Sequence, residues 1–437
     1  MTPKEELWQE SSLRLGGTHE VSLDGAAITI VGFLDITENR SGLNYPLRRR
    51  PPILSGDECA STKRVTPEFL LRIRKEMKLL YYITSHGYGH AARTATICNL
   101  LSPDTEILFR TTVPREFFAE EIRRPFTYAP AEFDCGCRQT DGVTVDVEET
   151  LSAYRSIAGR NTGLLDTEAA WCAKNGISVI ASDIVPFAFE VARAAGIPSV
   201  AATSFTWYSI YEDYAAGRPE FAPYLDKIRE QYALADLLLA LFPACPMPYF
   251  PAAVNVGPVG RVGTDIRRRL LEENGIASDK RLGLIYTGNF GMDGAAWKDL
   301  ERFGEWEFFG LYPLPGAPKN YHRIAKNLFR YQDCIASADV MISKLGYGTC
   351  AECLLNGLPM IYLPRDGFAE FPVLHAALSD WGHGYLLSKD NFYSLAWSDA
   401  LDAVQRRGKP APLPPGAALT CAREIEKLGS SPPSHFA

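Results

Sequence analysis

From Met77 onward the chain alternates short apolar runs with stretches of helical periodicity, and few architectures accommodate that rhythm. Runs at 79–84, 107–110, 179–182, 199–203 and 237–241 are followed by a second series at 282–287, 306–311, 340–343 and 360–363. Strands that are apolar throughout, each leading into a helix, belong in parallel sheets covered on both faces. Between the two series, Cys245-Pro-Met-Pro-Tyr-Phe-Pro251 and Gly257-Pro-Val-Gly260 are dense in proline and glycine and read as a linker. The expected class is α/β, with Rossmann-like domains at 77–256 and 257–410 and a C-terminal helix and tail at 411–437.

Residues 1–76 stand outside this rhythm. They hold one strand-like run at 27–34 and a basic, proline-rich stretch, Pro46-Leu-Arg-Arg-Arg-Pro-Pro52, and their acidic and basic residues balance. The segment reads as a partly disordered appendage or as the product of a start codon called too early, Met77 being the alternative initiator. The full chain carries a net charge of −7 without a long basic stripe, which argues against nucleic acid as a main partner. Its most apolar window, Tyr232-Ala-Leu-Ala-Asp-Leu-Leu-Leu-Ala-Leu-Phe242, is short and contains Asp236, so no transmembrane segment is expected and only peripheral membrane contact stays open. Without a signal-peptide layout at the N-terminus, the expected location is cytoplasmic.

Two glycine turns carry the chemistry. The first follows the opening strand as Thr84-Ser-His-Gly-Tyr-Gly-His-Ala-Ala-Arg93, placing His86, Gly87, Gly89, His90 and Arg93 in a βα turn that opens onto the ligand crevice of such a sheet. A neutral imidazole there, at His90, suits a general base; the alternative is a glycine turn with incidental histidines. Such a base needs a group to fix its tautomer, and Asp183, at the end of another strand of the same domain, is the candidate; capping the next helix is its other reading. The second turn, Ser343-Lys-Leu-Gly-Tyr-Gly-Thr349, precedes a helix starting at about Thr349 and ending at Gly357 before Pro359. Free N–H groups at that helix start suit an anion, while Glu352 reads either as a ligand contact or as a solvated carboxylate helped by the dipole.

The second turn, with glycines and Thr349 at a helix start, Glu352 three residues on and then Gly-x-Pro, resembles the nucleotide-binding signature of GT-B glycosyltransferases. That resemblance implies two facing domains, with Gly346, Gly348 and Thr349 holding a diphosphate and Glu352 a ribose. The first turn resembles the first loop of the same enzymes, which implies His90 as the group acting on the acceptor, His86 matching less well as a turn cap or phosphate contact. Together with Ser182-Asp-Ile-Val-Pro186, Thr203-Ser-Phe-Thr-Trp207 and Cys245-Pro-Met-Pro248, the motifs look like the glycosyltransferase-like N-terminal half of plant L-arabinokinases, from about Met77 to Leu387. No counterpart of the kinase half is expected here, so kinase activity is not carried over.

The resemblance places further donor contacts at Gly288 and Asn289, as backbone donors in Thr287-Gly-Asn-Phe-Gly291, and at Lys344, as a cation beside the leaving diphosphate. Pro364-Arg-Asp-Gly-Phe-Ala-Glu370 stands where family members carry Asp-Gln or Gln-Gln for sugar hydroxyls; with the Gln missing, Asp366 and Glu370 are the candidates and the sugar is unassigned. The implied function is transfer of a sugar from a nucleotide diphosphate sugar, of UDP type, to a hydroxyl acceptor, inverting and independent of metal, with no cofactor beyond that substrate. An epimerase of the same fold and a non-catalytic nucleotide-sugar sensor are the alternatives. Of the ten cysteines, Cys98, Cys172 and Cys334 read as small core residues, and Cys350 and Cys353 lack the second ligand pair of a zinc site. Cys135-Gly-Cys137 falls in a loop, where a redox or acceptor-facing role stays open.

Overall fold

The computed structural model describes residues 77–140, 144–286 and 294–430, together with the backbone of Thr18–Leu23 and Ala26–Val31. The chain forms two units, 1–69 and 70–437. In the first, β1 (Thr18–Leu23) and β2 (Ala26–Val31) pair antiparallel, Leu23 opposite Ala26. The sequence reading anticipated only the second of these; the missed signal was Asp24-Gly25 between two runs of alternating polarity.

In the larger unit, the first series of runs gives β3 (Lys78–Ile83), β4 (Glu106–Arg110), β5 (Thr127–Ala129), β6 (Val179–Asp183), β7 (Ser199–Thr203), β8 (Leu237–Leu241) and β9 (Ala253–Val256). The second gives β10 (Arg281–Tyr286), β11 (Trp306–Gly310), β12 (Tyr321–Arg323), β13 (Val340–Lys344), β14 (Met360–Leu363) and β15 (Gly384–Leu386). They form two wholly parallel sheets, ordered β5-β4-β3-β6-β7-β8-β9 and β12-β11-β10-β13-β14-β15. In each sheet the order reverses at the first strand, which puts a switch-point crevice at the carboxyl ends of β3 and β6 and another at those of β10 and β13. Central strands such as β6 and β14 are buried at every position, which is why they read as unbroken apolar runs.

The strands missed in the sequence lie at or near sheet edges: β5, β9, β12 and β15 have only three or four residues and no apolar run. β9 lies inside the stretch read as a linker. One apolar cluster runs from Leu79, Ala181 and Leu239 of the first sheet to Leu284, Met341 and Met360 of the second. The C-terminal helix, Ala417–Ser430, joins it through Cys421 and Ile425 and lies on the first sheet, where the Glu426 carboxylate accepts a hydrogen bond from the Ser102 backbone N–H at 2.5 Å. A Cβ on Gly429 would come within 3.0 Å of Val179 in β6, so the helix backbone rests directly against that strand.

The helix after β13, Tyr347–Asn356, begins two residues earlier than the sequence suggested, because only Gly346 keeps an extended backbone before it. It ends at Gly357 in a left-handed conformation (φ 62°), where an added Cβ would lie 2.5 Å from the Pro410 carbonyl oxygen. Gly196, at the end of Phe187–Ala195, has the same conformation (φ 65°) with no atom within 4 Å of such a Cβ. Gly196→Ala should therefore cost only the left-handed strain, roughly 1–2 kcal/mol. Gly357→Ala should cost at least about 1 kcal/mol more, for the clash. Equal losses of unfolding free energy in chemical denaturation of the two variants would contradict this account.

Candidate active site

The two switch points share one cleft of about 810 Å³. From the first sheet, the helix Tyr88–Cys98 starts at Gly87; from the second, Tyr347–Asn356 starts at Gly346. Neither start has a side-chain cap and neither first turn has an acidic residue. A Cβ on Gly348 would sit 3.4 Å from the Gly89 Cα, so the two glycine turns meet almost backbone to backbone. Two helix N-termini with unsatisfied N–H groups then border the same space, which favours an anion there.

His90 and Arg93 sit one helical turn apart and converge on Asp183 at the end of β6. The Nδ1 of His90 lies 3.0 Å from the Asp183 Oδ1, and the Arg93 Nε–H donates to Oδ2 at 2.6 Å while its Nη2–H donates to Oδ1. Arg93 also donates to the Ser204 hydroxyl at 3.0 Å, and its Nη2 is 3.0 Å from the His90 Nδ1. All three side chains are buried. Burial alone would raise the Asp183 pKa, but Arg93 and His90 outweigh it and hold the carboxyl below its ordinary value, as an anion. On its other side the Arg93 guanidinium lies 4.8 Å from the centroid of the Tyr347 ring, so this ion pair touches the second glycine turn directly.

His86 is in a different state. Its Nδ1 accepts the Cys137 backbone N–H at 3.1 Å, so the ring's proton is on Nε2. Burial, with the charges of His90, Arg365 and Lys344, pushes its pKa down to about 3, and it stays neutral. Cys135-Gly136-Cys137 is the seat of this ring: Gly136 is left-handed (φ 62°), and a Cβ there would lie 2.6 Å from the His86 Nδ1. Burial pushes the thiols of Cys135 up to about 11 and of Cys137 up to about 12, which leaves neither as a thiolate. Behind them Asp134 accepts from the Trp207 Nε1–H at 2.6 Å and from the Thr84 hydroxyl at 3.0 Å.

In the second half, Lys344, Gly346, Gly348, Thr349, Glu352 and Glu370 all line the cleft. The Glu352 carboxylate is held by the Arg261 Nε–H at 2.6 Å, and Arg261 Nη1 reaches on to Glu121 at 2.7 Å. Asp366 departs from expectation: it is exposed, pairs with Lys389 at 2.7 Å and does not line the cleft, because Gly367 turns the chain outward in a left-handed conformation (φ 72°). Its neighbour Arg365 takes the inward place and pairs with Glu370 at 3.3 Å. Gly288 and Asn289 lie outside the described residues. Among the described residues no cluster of three or more His, Cys, Asp or Glu could hold a metal ion, and no helix is long and apolar enough to cross a membrane.

Comparisons with known proteins agree with this architecture. The family model of the glycosyltransferase family 28 C-terminal domain matches residues 319–377. L-arabinokinase of Arabidopsis thaliana is 31% identical over 337 residues, which is 75% of this chain and 32% of that protein. This chain thus spans about a third of the length of the curated relative it matches. Among solved structures, the glycotransferase of kitacinnamycin superposes with a TM-score of 0.53 at 15% identity, over 80% of this chain and 98% of that one. A UDP-glucosyltransferase from Polygonum tinctorium does so with 0.54 at 14%, over 82% and 100%. The fold is that of the GT-B glycosyltransferases.

Within this GT-B cleft, several residues escaped the sequence reading. Arg261 follows the proline and glycine stretch taken as a linker, and its partner Glu352 is 91 positions away, so spacing gives no signal. Arg365 sits in a stretch where only the carboxylates match the family pattern, and Asp134, beside Cys135-Gly-Cys137, has no motif of its own. Asp134 yields a test. Burial raises its pKa from 3.8 to about 6 despite two hydrogen bonds, so its protonated form is the one the fold prefers. Stability from this group is complete below pH 3.8 and is lost as pH rises through about 6. Relative to the parent, Asp134→Asn should therefore gain up to about 3 kcal/mol between pH 4 and 7. Parallel urea-stability profiles for the two proteins over that range would rule this out.

Proposed function

We propose that this protein transfers a sugar from a nucleotide diphosphate sugar, of UDP type, to a hydroxyl acceptor, with His90 as the base. The observation that carries the reading is the juxtaposition of the His90–Asp183 pair with the uncapped turn at 346–349 across one cleft. With Nδ1–H donating to the Asp183 anion, the Nε2 of His90 carries the lone pair and can take the acceptor's proton. The acceptor oxygen then bonds to the anomeric carbon as the bond to the diphosphate breaks, a direct displacement that inverts that carbon. His86, with its proton already on Nε2, serves as a donor rather than a second base.

Charge that builds on the leaving diphosphate meets the backbone N–H groups at the start of Tyr347–Asn356, with Thr349 and Lys344 beside them. In this reading these groups neutralise the diphosphate without a metal. Glu352 takes the ribose while Arg261 holds one of its oxygens, an arrangement that orients the carboxylate without consuming both. The UDP-type donor is supported by the UDP-glucosyltransferase among proteins of like fold.

Two measurements test the proposal. A UDP-sugar donor at a hundred times its dissociation constant should raise unfolding free energy by about 2.7 kcal/mol. His90→Ala should keep that stabilisation while lowering turnover roughly a hundredfold to ten-thousandfold. Absence of any thermal shift across a panel of nucleotide sugars, or undiminished turnover in the variant, would remove the assignment.

A further inference from the structure

Along the cleft lined by His86 of the turn after β3, by Gln139 of the loop after β5 and by the stretch at 364–370, the wall contains polar atoms without a partner. Arg365 Nε, Glu370 Oε2 and Gln139 Nε2 are all buried, line the cleft and make no hydrogen bond. Arg365 is 8% and Glu370 7% exposed, so neither atom is left to bulk water. Among the described residues, the guanidinium of Arg365 makes two long contacts, 3.3 Å to the Glu370 Oε1 and 3.4 Å to the Leu345 carbonyl, and lies 3.4 Å above the centre of the Phe368 ring. Burial lowers its pKa, and its charge bears on both His86 and Cys137, which places it against the first-domain loop as well. A charged donor taken out of water and left short of partners is costly unless a ligand completes it.

The kind of ligand follows from the tally of groups. Of the unpartnered buried atoms here, two are donors, the Arg365 Nε–H and the Gln139 Nε2–H, against one acceptor, Glu370 Oε2, and the His86 Nε2–H adds a donor to the same cleft wall. A neutral hydroxyl gives and takes about equally, whereas a carboxylate accepts several hydrogen bonds and donates none. The free Glu370 oxygen then suits a hydroxyl beside that carboxylate. We propose that this end of the cleft recognises a sugar bearing a carboxylate, a uronic acid, with Arg365 as the specificity-determining residue. The inference rests on the glycosyltransferase reading and adds the substrate class to it. The carboxylate belongs either to the transferred sugar or to the acceptor, and the same donors would serve both.

Calorimetric titration of matched pairs distinguishes these sources: UDP-glucuronate against UDP-glucose, and free glucuronate against glucose with the protein saturated in UDP. In one pair the acid should bind at least tenfold tighter than its neutral partner, which is about 1.4 kcal/mol. Preference in the first pair assigns the carboxylate to the donor, and in the second to the acceptor. Arg365→Met alone strands the Glu370 charge and risks the fold, so the variant to use is Arg365→Met with Glu370→Gln. In that variant the ratio of acid to neutral affinity should fall to near one. No preference for the acid in either pair, or a preference that survives the double substitution, overturns the inference while leaving UDP binding and the transferase reading intact. Failure to bind UDP at all overturns both.

Discussion

The buried ion pair between Arg93 and Asp183 is the interaction on which the site depends. Asp183 closes a strand, Arg93 rises from the second turn of a helix, and both lie within hydrogen-bond distance of His90. Burying two charges carries a desolvation cost that direct attraction seldom exceeds by much. Here the cost is offset by hydrogen bonds to Thr203 and Ser204 at the end of the next strand, which leave the guanidinium well satisfied. The same guanidinium lies against Tyr347, so the second glycine turn is seated on the group that holds Asp183. The two walls of the cleft share a single cation.

The two histidines of the first turn show how local hydrogen bonding divides roles between identical side chains. A backbone N–H aimed at Nδ1 keeps His86 neutral with its proton on Nε2, whereas the Nδ1 of His90 faces the Asp183 carboxylate. Glycine enters both settings. Gly136 allows the loop to reach His86, and a Cβ at Gly348 would sit 3.4 Å from the Gly89 Cα, where the two helix starts meet.

The sequence was legible where burial on both faces leaves an unbroken apolar run, as in β6 and β14, and where glycines punctuate a strand and a helix. It was silent at β5, β12 and β15, whose three residues at or near a sheet edge bury too little to show a pattern. For the site, the crevice position of His90 and Asp183 followed from strand ends alone. The role of Arg93 in joining them did not, since its partner is 90 residues away and the alternative of a solvated helix face reads the same. Arg365 and Asp366 show the limit most plainly. Adjacent residues of a loop point to opposite sides, Arg365 inward over the Phe368 ring and Asp366 outward to Lys389, and neither partner is marked by spacing in the sequence.

The C-terminal helix, which leaves the second sheet and lies on the first, has a mechanical consequence. The polypeptide crosses between the two halves twice, once after β9 and once before Ala417. A body tethered at two points can swing about the line through them but cannot twist or slide freely. Any opening of the cleft is therefore confined to something close to a single rotation, and each closure returns the helix start at Gly346 to the same place above Arg93.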